Sequence, residues 1–133
     1  MNNSVDIRDM WAADQASRAL GMELVDWGEG RAVVRMTVRD DMVNGHGTAH
    51  GGLVGSLADS AFAVACNSHG VVTVAAGFDV TFLRAAHAGD VLTATAAERT
   101  REGRSGVCDV TVTSSDGSVV AEFRGRSREL PPR

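Results

Sequence analysis

The stretch NGHGTAHGGLVGSLADSAFAVAC, Asn44 to Cys66, opens as a turn of Gly, His and Asn and continues as an apolar run with one carboxylate, Asp59, inside it. In that run Leu53, Val54, Leu57, Ala58, Ala61, Phe62, Val64, Ala65 and Cys66 leave almost no polar side. A helix that is apolar nearly all round is buried on nearly all sides, so a central helix is expected over about residues 51–68. Its alanines and glycines suit close approach to a sheet curled around it.

Outward from this helix the chain reads as strands and turns. Ser4 to Leu20 carries Val5, Met10, Trp11 and Leu20 among charged residues and alanines, the pattern of an amphipathic helix with Ser4 as its cap and Gly21 as its stop. It is expected across an outer surface or mouth. Met22 to Trp27 is short and mixed, and Gly28-Glu29-Gly30 is a hairpin signal. Arg31 to Val38 alternates, with Ala32, Val34, Met36 and Val38 on one face, as a half-buried strand does. Val71 to Leu83 reads as a long strand broken near Gly77, and Ala88-Gly89-Asp90 as a turn. Val91 to Arg101, Val107 to Ser114 and Val119 to Ser127 follow as strands, parted by Glu102-Gly103 and by the tight-hairpin pair Asp116-Gly117. A frayed tail over 129–133, LPPR at its end, completes a single domain spanning 1–133. Short links make neighbours antiparallel, and five or six such strands need a long helix to cover their apolar face. The expected class is α+β.

Bulk properties narrow the function. At 133 residues the chain can bury one core, and 44% hydrophobic with 23% charged residues is ordinary for a globular protein. A net charge of -4 argues against a nucleic-acid binder, which needs clustered Lys and Arg. The arginines between Arg99 and Arg104 and between Arg124 and Arg128 read as a solvated strand face. No run reaches membrane-spanning length, and no signal-peptide pattern precedes the first helix. Cys66 and Cys108 are too few for a disulfide framework; as small core residues they fit a reducing cytoplasm. Four scattered histidines show no ligand spacing, so no metal is expected.

The chemistry centres on Asp59 and the glycines. A buried carboxylate is costly unless paired, hydrogen-bonded or protonated, and no basic residue stands three or four positions away. Either Ser56, Ser60 or a backbone group satisfies it, or it is kept for use. Gly51 and Gly52 sit where helix N–H groups lack intrahelical partners, at the positive end of the helix dipole. Such donors suit negative charge developing on an oxygen, and glycine lets a carbonyl approach. Yet Gly51 and Asp59 are eight residues apart, roughly 12 Å along one axis. A reacting carbon needs both within about 3–4 Å. Two central helices running antiparallel across a two-fold axis meet that demand, which points to a homodimer with two composite sites.

Asn44-Gly-His-Gly-Thr-Ala-His50-Gly51-Gly52, then Ser56-Leu-Ala-Asp59-Ser-Ala-Phe62-Ala and Ala65-Cys-Asn67-Ser68, resembles the hotdog-fold acyl-CoA thioesterases, nearest the phenylacetate-degradation (PaaI-type) branch. The likeness continues through Phe82-Leu83-Arg84, Ala88-Gly89-Asp90 and Phe123-Arg124-Gly125. It implies hydrolysis of aryl- or phenylacetyl-CoA thioesters, with coenzyme A entering only as part of the substrate, and a homotetramer built from dimers. Gly51 N–H would be the oxyanion donor, and Asp59 of the adjacent subunit the general base or the nucleophile. His50 and Asn44 match positions that line the site or orient the loop, Gly52 lies beside the substrate, and Phe82, Leu83 and Arg84 lie near the pantetheine and nucleotide arms. Read without the resemblance, His50 is equally a cap and Arg84 a solvated strand-end residue. Two departures stand out. Where relatives hold the water with Ser or Thr after the central helix, this chain has Val74-Ala75-Ala76 with Thr73 the closest hydroxyl, and Ala85 replaces a common Pro. Competing readings are a non-catalytic acyl-CoA-binding hotdog protein, which needs no buried acid, and a hotdog dehydratase, which wants a catalytic His.

Overall fold

The computed structural model of the chain describes residues 2–132. Two short helices come first, α1 (Ile7–Ala13) and α2 (Gln15–Ala19). A hairpin of β1 (Glu23–Gly28) and β2 (Arg31–Thr37) leads through a 3-10 turn, Asp40–Met42, to the long helix α3 (Gly51–Asn67). Then come β3 (Thr73–Phe82), β4 (Val91–Glu102), β5 (Ser105–Thr113) and β6 (Val119–Glu129). All six strands pair antiparallel in one sheet of order β1-β2-β4-β5-β6-β3, so β1 and β3 are its edges. Helix α3 touches every strand. This is the hotdog arrangement of a sheet wrapped around one helix.

Alternation dictates which faces meet. Ala32, Val34 and Met36 of β2, Leu92, Ala94 and Ala96 of β4, and Cys108, Val110 and Val112 of β5 all point to α3 and are buried. Leu57, Ala58, Ala61, Phe62 and Ala65 answer from the helix. Gly125 on β6 lets the two layers close: a Cβ there would lie 2.7 Å from the Phe62 ring. Cys66 and Cys108 are both buried and free, with burial pushing each thiol up to about 12. Asp116 holds the β5–β6 turn by accepting from Ser118 N at 2.9 Å, while Gly117 takes φ +87°. Among the described residues, no helix is long and apolar enough to cross a membrane.

Four expectations need correction. The helix over 4–20 is two helices, because Asp14 captures Ser17 N–H (3.0 Å) and Ser17 Oγ–H (2.6 Å) with its own side chain. Ser4 is not the cap: it bridges to Val71, and Asp6 accepts from Asp9 N instead. The break near Gly77 is a bulge between Ala75 and Gly77 within one continuous strand. The tail is tied at Leu130, whose N–H donates to Val72 O and whose carbonyl accepts from Asn3 Nδ2; Arg133 lies outside the described residues.

Candidate active site

Helix α3 receives its first turn from a loop that is fastened before it arrives. Asn44 Oδ1 accepts from His46 N (2.9 Å) and Thr48 N (3.2 Å), and Asn44 N donates to Thr48 O. His50 N then donates to Met42 O and Ala49 N to Ala86 O. His50 is the N-cap: its Nδ1 accepts from Gly52 N at 3.3 Å. In that bond Nδ1 is the accepting nitrogen of the ring. Leu53 and Val54 both donate to His50 O. Of the orphan donors that open every helix, Gly51 N–H is therefore left with no partner among the described residues. Asn44 orders the loop, and Gly52, exposed, has its N–H taken by the cap.

A cavity of about 390 Å³ lies over Gly51, walled by Thr48, Val54, Phe82, Leu83 and Arg84. A Cβ at 51 would sit 3.1 Å from Phe82 Cζ, so any side chain there would push the ring aside. Phe82 is 50% and Leu83 60% exposed, unusual for side chains of this size. Arg84 is exposed and forms no ion pair among the described residues. The residues expected to flank the substrate's arms thus gather at one end of α3, around the free amide.

Asp59 lies two turns on, in a different cavity of about 430 Å³ whose walls include Met10, Ala13, Phe62, Thr73 and Val74. Neither neighbouring serine serves it: Ser56 Oγ donates to Gly52 O (2.8 Å), and Ser60 Oγ pairs with Ser17 Oγ (2.7 Å). No described residue donates a hydrogen bond to its carboxylate, and burial, then the charge of Asp14, raises its pKa above the ordinary carboxylate value. The N-terminal helices do cover a mouth, as expected, and the mouth is that of Asp59. Thr73 is buried, and its hydroxyl donates to Val71 O at 2.8 Å. Asp14 escaped the sequence reading; its signal was the capping pattern Asp14-Gln-Ala-Ser17, hidden inside a segment read as unbroken helix.

One chain therefore holds two candidate half-sites: an amide donor and a carboxylate, each without a hydrogen-bond partner among the described residues and each bordering its own cavity. The arginine groups do not join either. Arg124 makes a bidentate pair with Asp109 (2.7 and 2.9 Å), and Arg126 and Arg101 pair with Asp79 and Glu129.

Comparison with known proteins bears on what these half-sites serve. Residues 46–121 match the thioesterase superfamily, a span that contains Gly51 and Asp59. The acyl-coenzyme A thioesterase PaaI of Escherichia coli K12 is 46% identical over 121 residues, covering 91% of this chain and 86% of that one. The crystal structure of the E. coli PaaI protein from the phenylacetic acid degradation operon superposes with a TM-score of 0.92 at 44% identity, covering 94% of this chain and 91% of that one. A mutant of the phenylacetic acid degradation protein PaaI from Thermus thermophilus superposes with a TM-score of 0.85 at 39% identity, over 88% of this chain and 100% of that one. Matching sequence and matching architecture converge: the chain belongs to the thioesterase superfamily and is, within it, a PaaI-type hotdog thioester hydrolase.

Proposed function

We propose that the enzyme hydrolyses aryl- or phenylacetyl-CoA-type thioesters to the free acid and coenzyme A, at sites composed from two subunits. The observation that carries this reading is the course of β3. Its Val74 end borders the Asp59 cavity and its Phe82 end borders the Gly51 cavity. It is a sheet edge with Val74, Phe78 and Phe82 exposed. An exposed apolar edge strand seeks a partner strand. Pairing β3 antiparallel with its two-fold copy sets the Val74 end of one against the Phe82 end of the other. Asp59 of the partner subunit then approaches Gly51, which a single helix forbids.

In this site Gly51 N–H polarises the thioester carbonyl and holds the oxyanion, strengthened by the α3 dipole. Asp59 of the partner subunit takes a proton from water as the water attacks, or attacks the carbonyl itself to form an acyl-aspartyl anhydride that water then opens. Either way the carbon–sulfur bond breaks and coenzyme A leaves as thiolate to collect a proton. The apolar cavity beside Asp59 receives the acyl group, and Phe82, Leu83 and Arg84 meet the coenzyme A arm. The chemistry needs no metal or cofactor beyond the coenzyme A of the substrate. A homotetramer of two such dimers in the cytoplasm completes the reading; the two free buried thiols agree with a reducing compartment.

Complementation between subunits tests it. Asp59→Asn removes the acid, and Gly51→Pro removes the amide hydrogen at a helix position where proline is tolerated. Each variant alone should release almost no thiol from phenylacetyl-CoA. Mixed dimers assembled from equal amounts should recover about a quarter of the wild-type sites, one in each heterodimer. No recovery from a folded mixture sinks the composite site.

A further inference from the structure

The chain breaks its N-terminal helix to place an acid near the one it uses. Asp14, at the junction of α1 and α2, borders the same two cavities as Asp59, and both acids share the wall residue Ala63 in each. Asp14 is held firmly. Its Oδ1 accepts from Ser17 N and its Oδ2 from Ser17 Oγ, at 3.0 and 2.6 Å. The Ser17 proton being given to Asp14, Ser60 Oγ–H must donate to Ser17 across 2.7 Å, which links this junction to the residue following Asp59. Ser17 is buried, so the chain of contacts has little freedom.

The rest of what faces Asp59 is neutral. From β3 come Thr73, Val74 and Ala75, and from α1 Met10 and Ala13. From α3 itself come Ser56, Ser60, Asn67 and Cys66, the last uncharged because burial pushes its thiol up to about 12. Among the described residues, Asp14 is the one other charged group that lines the cavities of the Asp59 carboxylate; the proposed dimer adds the partner's Gly51 amide.

We infer that Asp14 is a positioning residue for the reaction: fixed by Ser17, its negative charge makes Asp59 a stronger base than an isolated aspartate. Resting on the function proposed above, this gives the break between α1 and α2 a purpose beyond covering the cavity. A like charge disfavours the ionised form of its neighbour, and a base of ordinary aspartate strength is a poor proton acceptor near neutral pH. The direction agrees with the upward displacement of Asp59, to which Asp14 contributes after burial.

Asp14→Asn separates charge from architecture, because Asn caps a helix as well as Asp does and keeps an oxygen for Ser17 N. Asp14→Ser is a second neutral cap should the first variant fold poorly. Two readouts are taken on the full chain: the pH profile of kcat/KM for phenylacetyl-CoA, and titration of the Asp59 carboxyl carbon by NMR. With the melting temperature retained, both the acidic limb and the titration should move to lower pH by about half a unit to one unit. An Asp59 titration that stays in place in a folded, capped variant overturns the inference. A titration that moves in a protein unable to hydrolyse any acyl-CoA upholds the Asp14–Asp59 coupling and removes the proposed function instead.

Discussion

Asp59 and Glu98 are both carboxylates drawn toward the core, one in the middle of α3 and the other beside its C-terminal end, and their surroundings differ in kind. Glu98 on β4 has charged groups on both sides: His69 Nε2 lies 2.6 Å from Oε1, Arg101 Nη1 lies 3.6 Å from Oε2 as an ion pair that leaves this buried oxygen without a hydrogen bond, and the backbone N–H of Glu98 donates to Gly30 O. Arg101 continues to Glu129 at 2.7 Å, and Ser68 Oγ accepts from Gly30 N. The cluster fastens the end of α3 to the β1–β2 turn, to β4 and to β6. Asp59 has a cavity instead of partners. The difference teaches how to tell a structural acid from a working one. An acid that holds a fold together sits among basic side chains, as Glu98 does, whereas an acid available to a substrate borders a cavity with no basic side chain in its walls, as Asp59 does.

The sharpest way to break this comparison is to neutralise each acid and read activity and stability together. Asp59→Asn should lower turnover about 10²- to 10⁴-fold, the usual share of a base or nucleophile, with circular dichroism and oligomeric size unchanged. Near-normal thiol release from that variant ends the case for Asp59. Glu98→Ala should do the reverse. Losing the acid takes from His69 its 2.6 Å partner and leaves Arg101 with Glu129 alone, a loss of about 1–3 kcal/mol on chemical denaturation, while turnover per folded molecule persists. If Glu98→Ala abolishes activity in a fully folded sample, the two acids are not distinguished by their partners.

Two glycines extend the same contrast. Gly125 faces Phe62, which is buried and has nowhere to go, and a Cβ there comes within 2.7–2.8 Å of three ring atoms. Gly51 faces Phe82, which is half exposed and free to swing away. Gly125→Ala should therefore cost about 1–3 kcal/mol through overpacking. Gly51→Ala should leave stability nearly unchanged and raise KM several-fold, because a moved Phe82 ring disturbs the pocket wall. Equal losses of stability in the two variants would show that the ring at Phe82 is as confined as the one at Phe62.

The chain announces much of this in advance, and the parts it conceals have a common cause. The strands were legible because alternation such as Ala32, Val34, Met36 and Val38 records one buried face, and the turns because Asp116-Gly117 and Gly28-Glu29-Gly30 record backbone demands. Asp59 and Gly51 were legible as an acid and an amide that one helix separates. Asp14 was not, because amphipathic spacing continues through it; only the side-chain bonds to Ser17 reveal that the helix stops and restarts. His50 carried two meanings in the sequence, a cap and a site residue, and the bond from Gly52 N realises the first of them. Local competition between side chain and backbone leaves little trace in hydrophobic periodicity.

The smallest effect is also the most direct reading of what holding an unpartnered acid does to the fold. Asp59 has a folded-state pKa above its unfolded value of 3.8, so between those two pH values the native chain binds more protons than the unfolded one. Stability from this group rises as pH falls through that window, and above it the ionised carboxylate opposes folding. Asp59→Asn carries no such charge. At pH 7 it should denature at slightly higher denaturant than the wild type, with the gap closing as pH drops through the folded-state pKa. Asp26, Asp41, Asp109 and Asp116 behave oppositely, held low by Arg31, Arg39, Arg124 and Ser118, so their contributions fade on acidification. They do so alike in both proteins, and the difference between the two curves isolates Asp59. A gap that widens toward acid would mean that the carboxylate is stabilised in the native state, by a partner such as the neighbouring subunit's Gly51 amide even without substrate.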